Sequence, residues 1–173
     1  MKLEPIAMFM VCGSWKYNMK IKFPFVKHDE AHPKFEYNQI DENIFIGTDQ
    51  CCQIHFDKSL IEKGIEADIS LQEEKLDHPQ GVKVFLWLPT NDHNAPTQEQ
   101  LQNGVSLIES LVKQGKKVYV HCKNGHGRAP TLVSAYYISQ GLSVEEAIKK
   151  IQDKRPTIHL EEEQVEALRR FSK

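Results

Sequence analysis

A cysteine and an arginine stand six positions apart in the stretch from His121 to Arg128, with glycines between them. A cysteine thiolate is a strong nucleophile, and a guanidinium offers a planar fork of donors that matches two phosphate oxygens. Gly125 and Gly127 allow the backbone to curl, so that several N–H groups can face one centre. These residue types predict an anion site in which Cys122 attacks a bound phosphate and Arg128 holds it.

The elements on either side of this stretch would position both side chains. Val118–Val120 is an apolar, β-branched run typical of a buried strand, and a helical pattern extends from Thr131 to Gln140. A helix N-terminus favours bound anions, and it favours thiolate over thiol, so we expect Cys122 to be reactive at neutral pH. The predicted phosphate-binding residues are Lys123, Asn124, Gly125, His126, Gly127 and Arg128.

This stretch resembles the phosphate-binding loop of the protein tyrosine phosphatase superfamily, in which His-Cys is followed by five residues and an arginine. His121, Cys122 and Arg128 have that spacing, and the continuation Arg-Ala-Pro-Thr is similar to the small dual-specificity branch. A weaker resemblance extends over residues 35–171. The resemblance to this family implies attack by Cys122 on phosphorus, a phosphocysteine intermediate, and hydrolysis by water without a metal or another cofactor.

Asp92 is the predicted general acid. It lies in a loop at residues 89–96 that follows a predicted strand, and open α/β sheets place their sites at the carboxyl ends of strands. The leaving oxygen needs a proton as the P–O bond breaks. The resemblance implies an aspartate about thirty residues before the cysteine, where Asp92 stands. His93 is the alternative donor, and an Asx turn is the alternative role for Asp92.

The resemblance gives supporting roles to His121, Ala129 and Thr131. It places His121 beneath the loop, which the histidine would fix by hydrogen bonding. In the family the residue after the arginine is usually serine or threonine, and its hydroxyl assists departure of the cysteine sulfur; Ala129 has no hydroxyl. Thr131 carries one, but two residues of helix rotate it by about 200°, away from Ala129. Hydrolysis of phosphocysteine is therefore the step that this departure affects.

Several functions remain open at this stage. We favour a phosphatase acting on phosphotyrosine and phosphoserine/threonine in proteins, with phosphorylated proteins or peptides as partners. Phosphoinositide or other phospholipid headgroups are the alternative substrates, since a lysine such as Lys123 also follows the nucleophile in lipid-directed relatives. A phosphate-binding module with little turnover is motivated by Ala129. A thiol-based reductase or sulfurtransferase is less favoured, because it does not require Asp92.

Composition excludes other classes. The chain has 173 residues, of which 40% are hydrophobic and 27% charged, and a net charge of −2, so no basic field indicates nucleic acid. Four irregularly spaced cysteines do not form a disulfide framework, and a reactive thiol favours a reducing compartment, so we predict a cytoplasmic protein. Neither Cys-x-x-Cys nor His-Glu-x-x-His occurs. Cys51 and Cys52 are either buried small hydrophobes or resolving thiols for Cys122.

The chain reads as one domain with an N-terminal segment. Residues 1–34 are predicted to pack on a catalytic domain at 35–173, and Ile6–Cys12 is too short to span a bilayer, so no transmembrane segment is expected. Alternating strand and helix patterns predict an α/β fold, with a central, mainly parallel sheet flanked by helices, as in cysteine phosphatases.

The predicted elements have these bounds: strands at Phe35–Ile40, Asn43–Ile46, Ile65–Leu71 and Val82–Leu88, and helices at Ile54–Lys63, 97–115, 143–151 and Glu161–Phe171. Pro89 is expected to end its strand. The charged residues at 73–77 are expected to form a surface connection.

Overall fold

The computed structural model describes residues 35–49 and 56–172. The predictions for residues 1–34, and for Cys51 and Cys52, lie outside the described residues. The described part has a five-stranded sheet at its centre, in the order β1-β2-β5-β3-β4. The strands are β1 Tyr37–Gln39, β2 Ile44–Gly47, β3 Ile65–Gln72, β4 Val84–Thr90 and β5 Lys117–His121.

The sheet is mainly parallel. β1 pairs with β2 in antiparallel fashion, and the pairs β2–β5, β5–β3 and β3–β4 are parallel. The β1–β2 hairpin turns at Asp41, whose Oδ1 accepts the N–H groups of Asn43 and Ile44, both at 2.9 Å. β5 is the middle strand, so whatever follows it lies at the centre of the sheet's carboxyl edge. The predicted α/β fold is confirmed.

Five helices flank the sheet in the described part of the chain: α1 Lys58–Glu62, α2 Gln98–Lys113, α3 Arg128–Ser139, α4 Val144–Gln152 and α5 Glu162–Phe171. The predicted capping boxes begin α2 and α4: Thr97 with Gln100, and Ser143 with Glu146. No helix within the described ranges is long and apolar enough to cross a lipid bilayer.

The two faces of the sheet differ in what covers them. The larger core joins one strand face, with Ile69 and Val120, to the buried sides of α2, α3, α4 and α5. A smaller core lies on the opposite face, where Phe45 and Tyr119 pack with Leu60 of α1. Alternation along β5 therefore sends Val118 and Val120 into the main core and Tyr119 into the smaller one.

Three predicted boundaries are wrong. α3 begins at Arg128 rather than at Thr131, with Gly127 as its N-cap. α1 begins at Lys58, because the Asp57 carboxylate caps it by accepting the Ser59 N–H at 2.8 Å. Pro89 lies inside β4 rather than ending it. β4 is an outer strand of the sheet, where a residue without an N–H need not break a ladder bond.

Candidate active site

The loop between β5 and α3 holds the predicted nucleophile. β5 ends at His121, and Cys122 follows it as a free thiol that is 3% exposed. Cys122 lines a cleft together with Asn124, Gly127, Arg128 and Asp92. The cleft volume is about 100 Å³, which suits a phosphoryl group better than a drug-sized ligand.

Arg128 is almost fully buried, and neighbouring groups fix its guanidinium. Nη1 donates to the Thr90 carbonyl at 2.8 Å and to Glu74 Oε2 at 2.9 Å. Nη2 donates to Glu74 Oε1 at 3.2 Å and lies 3.0 Å from Asp92 Oδ1. Nε is buried and has no hydrogen-bond partner among the described residues. The guanidinium is thus held by its two Nη groups, while Nε keeps an unused donor.

Glu74 is a site residue that the sequence interpretation missed. We placed it in a charged surface connection, but its carboxylate forms a two-pronged ion pair with Arg128. Desolvation opposes its charge, but the hydrogen bonds to its carboxylate and the nearby charges of Arg128 and Lys123 together outweigh this and lower the pKa of Glu74. A run of charged residues carries no signal that separates a side chain turned inward from one facing water.

Asp92 lies at the wall of the cleft, with its side chain 43% exposed. Its Oδ1 also accepts the His93 N–H at 3.2 Å. His93 has φ = +66°, and its Nδ1 lies 3.1 Å from Glu161 Oε1. The hydrogen bond with Glu161, then the charge of Asp92, raises the pKa of His93. Asp92 therefore contacts Arg128, whereas the His93 ring is engaged with the start of α5.

Gln164 attaches the same loop to α5. It is 1% exposed, its Nε2 donates to the Asn94 carbonyl at 3.0 Å, and its Oε1 accepts the Glu161 N–H at 3.0 Å. A Cβ added to Gly127 would lie 2.8 Å from Gln164 Oε1, so the loop and this helix approach closely. The sequence pattern predicts a helix at this place but carries no sign that its first turn reaches the cleft.

Arg155 supports the loop from behind and was also missed as a site residue. It is 1% exposed, and it donates from Nε to the Gly125 carbonyl at 3.0 Å and from Nη2 to the Asn124 carbonyl at 3.1 Å. Gly125 has φ = +66°, and a Cβ there would lie 2.4 Å from the Gly47 oxygen, so only glycine fits. The sequence showed Arg155 only as the residue before a helix-breaking proline.

The remaining loop residues have different positions. Lys123 has an exposed side chain that does not line the cleft, and its carbonyl accepts the Asp49 N–H at 3.0 Å. His126 lines the cleft, with its ring 5.1 Å from the ring of His159. Burial and then the charge of Arg155 lower the pKa of His126. Positive charge at the rim is therefore not concentrated on the loop histidine.

The three predicted supporting residues are all buried. His121 is 1% exposed; its Nε2 lies 3.3 Å from Asp68 Oδ1, and its Nδ1 has no hydrogen-bond partner within the described ranges, so the expected bond to the loop is not present. Burial opposes its charge, but the nearby carboxyls of Asp68, Asp77 and Asp49 together outweigh this and raise the pKa of His121. Ala129 is fully buried, and Thr131 Oγ1 donates to the Gly127 carbonyl at 2.8 Å.

A cysteine at the end of a central parallel strand, followed by a helix whose first residue is a buried arginine, defines the phosphatase loop of the cysteine-dependent type. The family model described as "Dual specificity phosphatase, catalytic domain" matches residues 44–173, and the chain belongs to this family. The resemblance drawn from the loop residues is thereby confirmed.

Similarity to individual proteins is more limited. The chain is 40% identical over 79 residues to the human "Phosphatidylglycerophosphatase and protein-tyrosine phosphatase 1", which covers 45% of this chain and 39% of that protein. It is 31% identical over 106 residues to the human "Protein tyrosine phosphatase type IVA 3", covering 60% and 51%. The chain thus spans about half the length, or less, of these curated relatives.

Solved structures share the fold. The crystal structure of PTPMT1 in complex with PI(5)P superposes with a TM-score of 0.69 at 27% identity, over 79% of this chain and 94% of that one. Tk-PTP in the active form gives a TM-score of 0.65 at 29% identity, over 79% and 95%. Human DUSP28, at 20% identity and a TM-score of 0.70, over 78% and 94%, supports the fold alone.

Proposed function

We propose that this protein hydrolyses phosphate monoesters through a phosphocysteine intermediate. The observation that carries the proposal is the convergence of three groups on one cleft: the Cys122 thiol, the Arg128 guanidinium and the Asp92 carboxylate. The unused Nε–H of Arg128 supports it further, because a buried donor without a partner is costly and a phosphate oxygen would satisfy it.

In the first step the Cys122 sulfur attacks phosphorus and the bond to the ester oxygen breaks. Asp92 gives its proton to that leaving oxygen. In the second step a water attacks the phosphocysteine, its proton passes to Asp92, and the sulfur leaves as thiolate, which releases inorganic phosphate. Arg128 and the loop amides hold the equatorial oxygens throughout, where preorganised donors stabilise the charge of both transition states.

Phosphotyrosine and phosphoserine/threonine in proteins are the proposed substrates, and phosphorylated proteins the proposed partners. The relatives' names support this in part, since two of them are called protein tyrosine phosphatases. The same names support a second candidate, a phospholipid monoester: one relative is also called a phosphatidylglycerophosphatase, and a structural neighbour was crystallised with PI(5)P. A cytoplasmic location remains part of the proposal, because a thiol nucleophile must stay reduced.

Turnover of an aryl phosphate in the presence of a chelator tests the proposed chemistry. Cys122→Ser should abolish turnover yet still bind phosphate or another oxyanion, because Arg128 and the loop amides remain. Cys12→Ser, the same change outside the described residues, serves as the control and should leave the rate unchanged. Hydrolysis by Cys122→Ser well above an empty-vector preparation would contradict the assignment. No turnover by the unaltered chain, with phosphate binding intact, would indicate a binding module instead.

A substrate panel separates the two candidates. The unaltered chain is compared on phosphotyrosine and phosphoserine/threonine peptides and on vesicles containing phosphatidylglycerophosphate or a phosphoinositide, at equal phosphate concentration. A higher kcat/KM on peptides supports the first candidate, and a higher value on vesicles replaces it with the second.

A further inference from the structure

A cluster of buried carboxylates surrounds His121 on the side of the sheet opposite the main core. Alternation along β3 places Asp68 and Ser70 on this face, and the fully buried Asp68 lies next to the ring of His121. Asp77, from the β3–β4 connection, is 8% exposed and accepts a hydrogen bond from the Ser70 hydroxyl at 3.0 Å. Asp49, just after β2, completes the cluster from a partly buried position.

The distances within this cluster are somewhat longer than those between ligands around one ion. His121 Nε2 lies 3.3 Å from Asp68 Oδ1 and 3.6 Å from Asp77 Oδ2. One ligand atom from each of Asp49, Asp77 and His121 lies within 4.8 Å of the other two. Metal–ligand bonds of about 2.0–2.2 Å separate neighbouring tetrahedral ligands by roughly 3.4 Å. Small side-chain adjustments would thus bring the three atoms onto a common centre.

Several buried atoms here lack partners. His121 Nε2 and Asp68 Oδ1 contact each other, but His121 Nδ1, Asp68 Oδ2 and Asp49 Oδ1 have no hydrogen-bond partner within the part of the chain that the structure describes. Native proteins satisfy nearly all such groups, and an unsatisfied buried charge is more costly than an unsatisfied neutral group. These atoms point to something that binds among them.

The charges within the cluster also indicate a bound cation. Three carboxylates, those of Asp49, Asp68 and Asp77, face one ammonium, that of Lys75, whose Nζ lies 2.5 Å from Asp49 Oδ2. If all three carboxyls are ionised, the cluster is one positive charge short even with a protonated His121, and burial raises the pKa of Asp49, which shows that its negative charge is poorly compensated there. Burying uncompensated negative charge directly behind the Cys122 loop is costly, and a divalent cation would remove the deficit.

We propose that Asp49, Asp77 and His121 form a binding site for a divalent metal ion, with Asp68 as the neighbouring carboxylate that adds charge. One imidazole among carboxylates suits Zn²⁺ or Mn²⁺ better than Ca²⁺ or Mg²⁺, which take oxygen ligands. The ion would join the segment after β2, the β3–β4 connection and the end of β5, directly behind the nucleophile. It would hold the base of the loop and take no part in the bond changes proposed above.

The contact between Lys75 and Asp49 predicts whether a substitution raises or lowers the affinity for metal. Its ammonium already lies against Asp49, so an incoming ion must displace it, and the two cations compete. Asp49 and Lys75 are the partly exposed members of the cluster, with side chains 13% and 23% exposed, and they mark the path by which an ion enters. Lys75→Met should therefore bind metal more tightly than the parent, whereas Asp77→Asn should bind it less tightly.

The experiment measures binding of Zn²⁺ and, separately, Mn²⁺ to the full chain at pH 7, by calorimetry and by metal content after gel filtration. All proteins carry Cys122→Ser, so that the nucleophile cannot bind the ion and hydrolysis does not enter the readout. The parent should bind one equivalent of at least one ion, and Asp77→Asn should weaken this binding by about tenfold or more. Asp153→Asn, an exposed carboxylate on another element, should bind like the parent.

Absence of binding to the parent would overturn the proposal. Equal affinities in the parent, Asp77→Asn and Lys75→Met would overturn it as well, because the ion would then be held elsewhere. Circular dichroism checks each fold; if Asp77→Asn does not fold, Lys75→Met decides, with tighter binding supporting the site and unchanged or weaker binding rejecting it. None of these outcomes tests the proposed phosphatase activity, which the aryl phosphate assay tests separately.

Discussion

Two carboxylates contact the guanidinium of Arg128, and they determine which of its N–H groups can bind a substrate phosphate. Glu74 engages both Nη groups, and Asp92 lies against Nη2. A phosphate therefore finds Nε free and shares Nη2 with Asp92. Glu74 holds the plane of the guanidinium in place before the substrate arrives, which reduces the entropy lost on binding.

Replacement of Glu74 tests this positioning role. Glu74→Gln keeps the shape of the side chain but removes the charge-assisted contact, so the guanidinium should lose its fixed orientation and kcat/KM for an aryl phosphate should fall about tenfold. The side chain is over a third exposed, which moderates the effect. Glu73→Gln, at the exposed neighbouring position, should change kcat/KM less than twofold. Equal effects of the two changes would remove Glu74 from the site.

Ala129 bears on the second half of the proposed reaction. It offers no hydroxyl to the departing sulfur of Cys122, and the Thr131 hydroxyl is already bonded to the Gly127 carbonyl. We therefore expect breakdown of phosphocysteine to limit turnover. Rapid mixing with an activated aryl phosphate should release a burst of phenol approaching one equivalent per enzyme, followed by a slower steady state.

Ala129→Ser should speed that steady state and leave the burst rate nearly unchanged, because the new hydroxyl acts after the first transition state. Ala135→Ser, a buried alanine on the same helix away from the loop, controls for the added oxygen. If no burst is seen and Ala129→Ser gives no gain, breakdown is not the slow step.

The elements around the cleft were predictable where their signals were local. Thr97 with Gln100 and Ser143 with Glu146 marked two helix starts correctly, since each capping box lies within four residues. Glu74 and Arg155 could not be assigned in this way. Glu74 contacts Arg128, which is 54 positions away in the sequence, and Arg155 contacts Glu36, which is 119 positions away. Their roles therefore depend on how the elements pack. Cys122 and Arg128 were found because one loop carries both.

The loop that carries Asp92 depends on α5 for its position, and this attachment is sensitive to pH. The Glu161 contact raises the pKa of His93, so the ion pair is fully formed below the ordinary pKa of histidine and is lost as pH rises through the raised value. An NMR titration of the full chain should place the pKa of His93 above about 6.5. In the same spectra, His126 should titrate below that value.

Glu161→Gln should shift the titration of His93 towards lower pH, because the hydrogen-bonded carboxylate is the main cause of the raised value. Glu163→Gln, an exposed carboxylate two residues along, should leave it in place. A His93 titration that is the same in all three proteins would mean that the contact with Glu161 does not persist in solution.

At the scale of the whole molecule, Arg155 joins parts that are far apart in the chain. Besides the loop carbonyls, it donates to Asn38 Oδ1 at 2.7 Å and to Glu36 Oε1 at 3.2 Å. It thereby ties the first strand and the segment before it to the loop that follows the middle strand. The folding of the sheet's outer hairpin and the geometry of the cleft are coupled through this one buried cation.

Arg155→Met should therefore lower both stability and activity. It leaves two loop carbonyls without donors, which should reduce the free energy of unfolding by about 3 kcal/mol in urea titrations and lower kcat/KM at temperatures where the protein stays folded. Arg169→Met, which removes an exposed arginine paired within its own helix, should cost less than about 0.5 kcal/mol. Loss of stability with full activity would separate Arg155 from the cleft.

Pro89 also has a consequence for how the protein behaves at high concentration. Among the described residues β4 is the last strand in the sheet order, and it carries Trp87, an aromatic side chain that is 39% exposed. A long outer strand with unpaired N–H groups and an apolar side chain is a template on which another copy can add a strand and begin to aggregate. Pro89 has no N–H, so β4 presents an interrupted row of donors. We therefore expect the residue that misled the boundary prediction to help keep folded chains separate in solution.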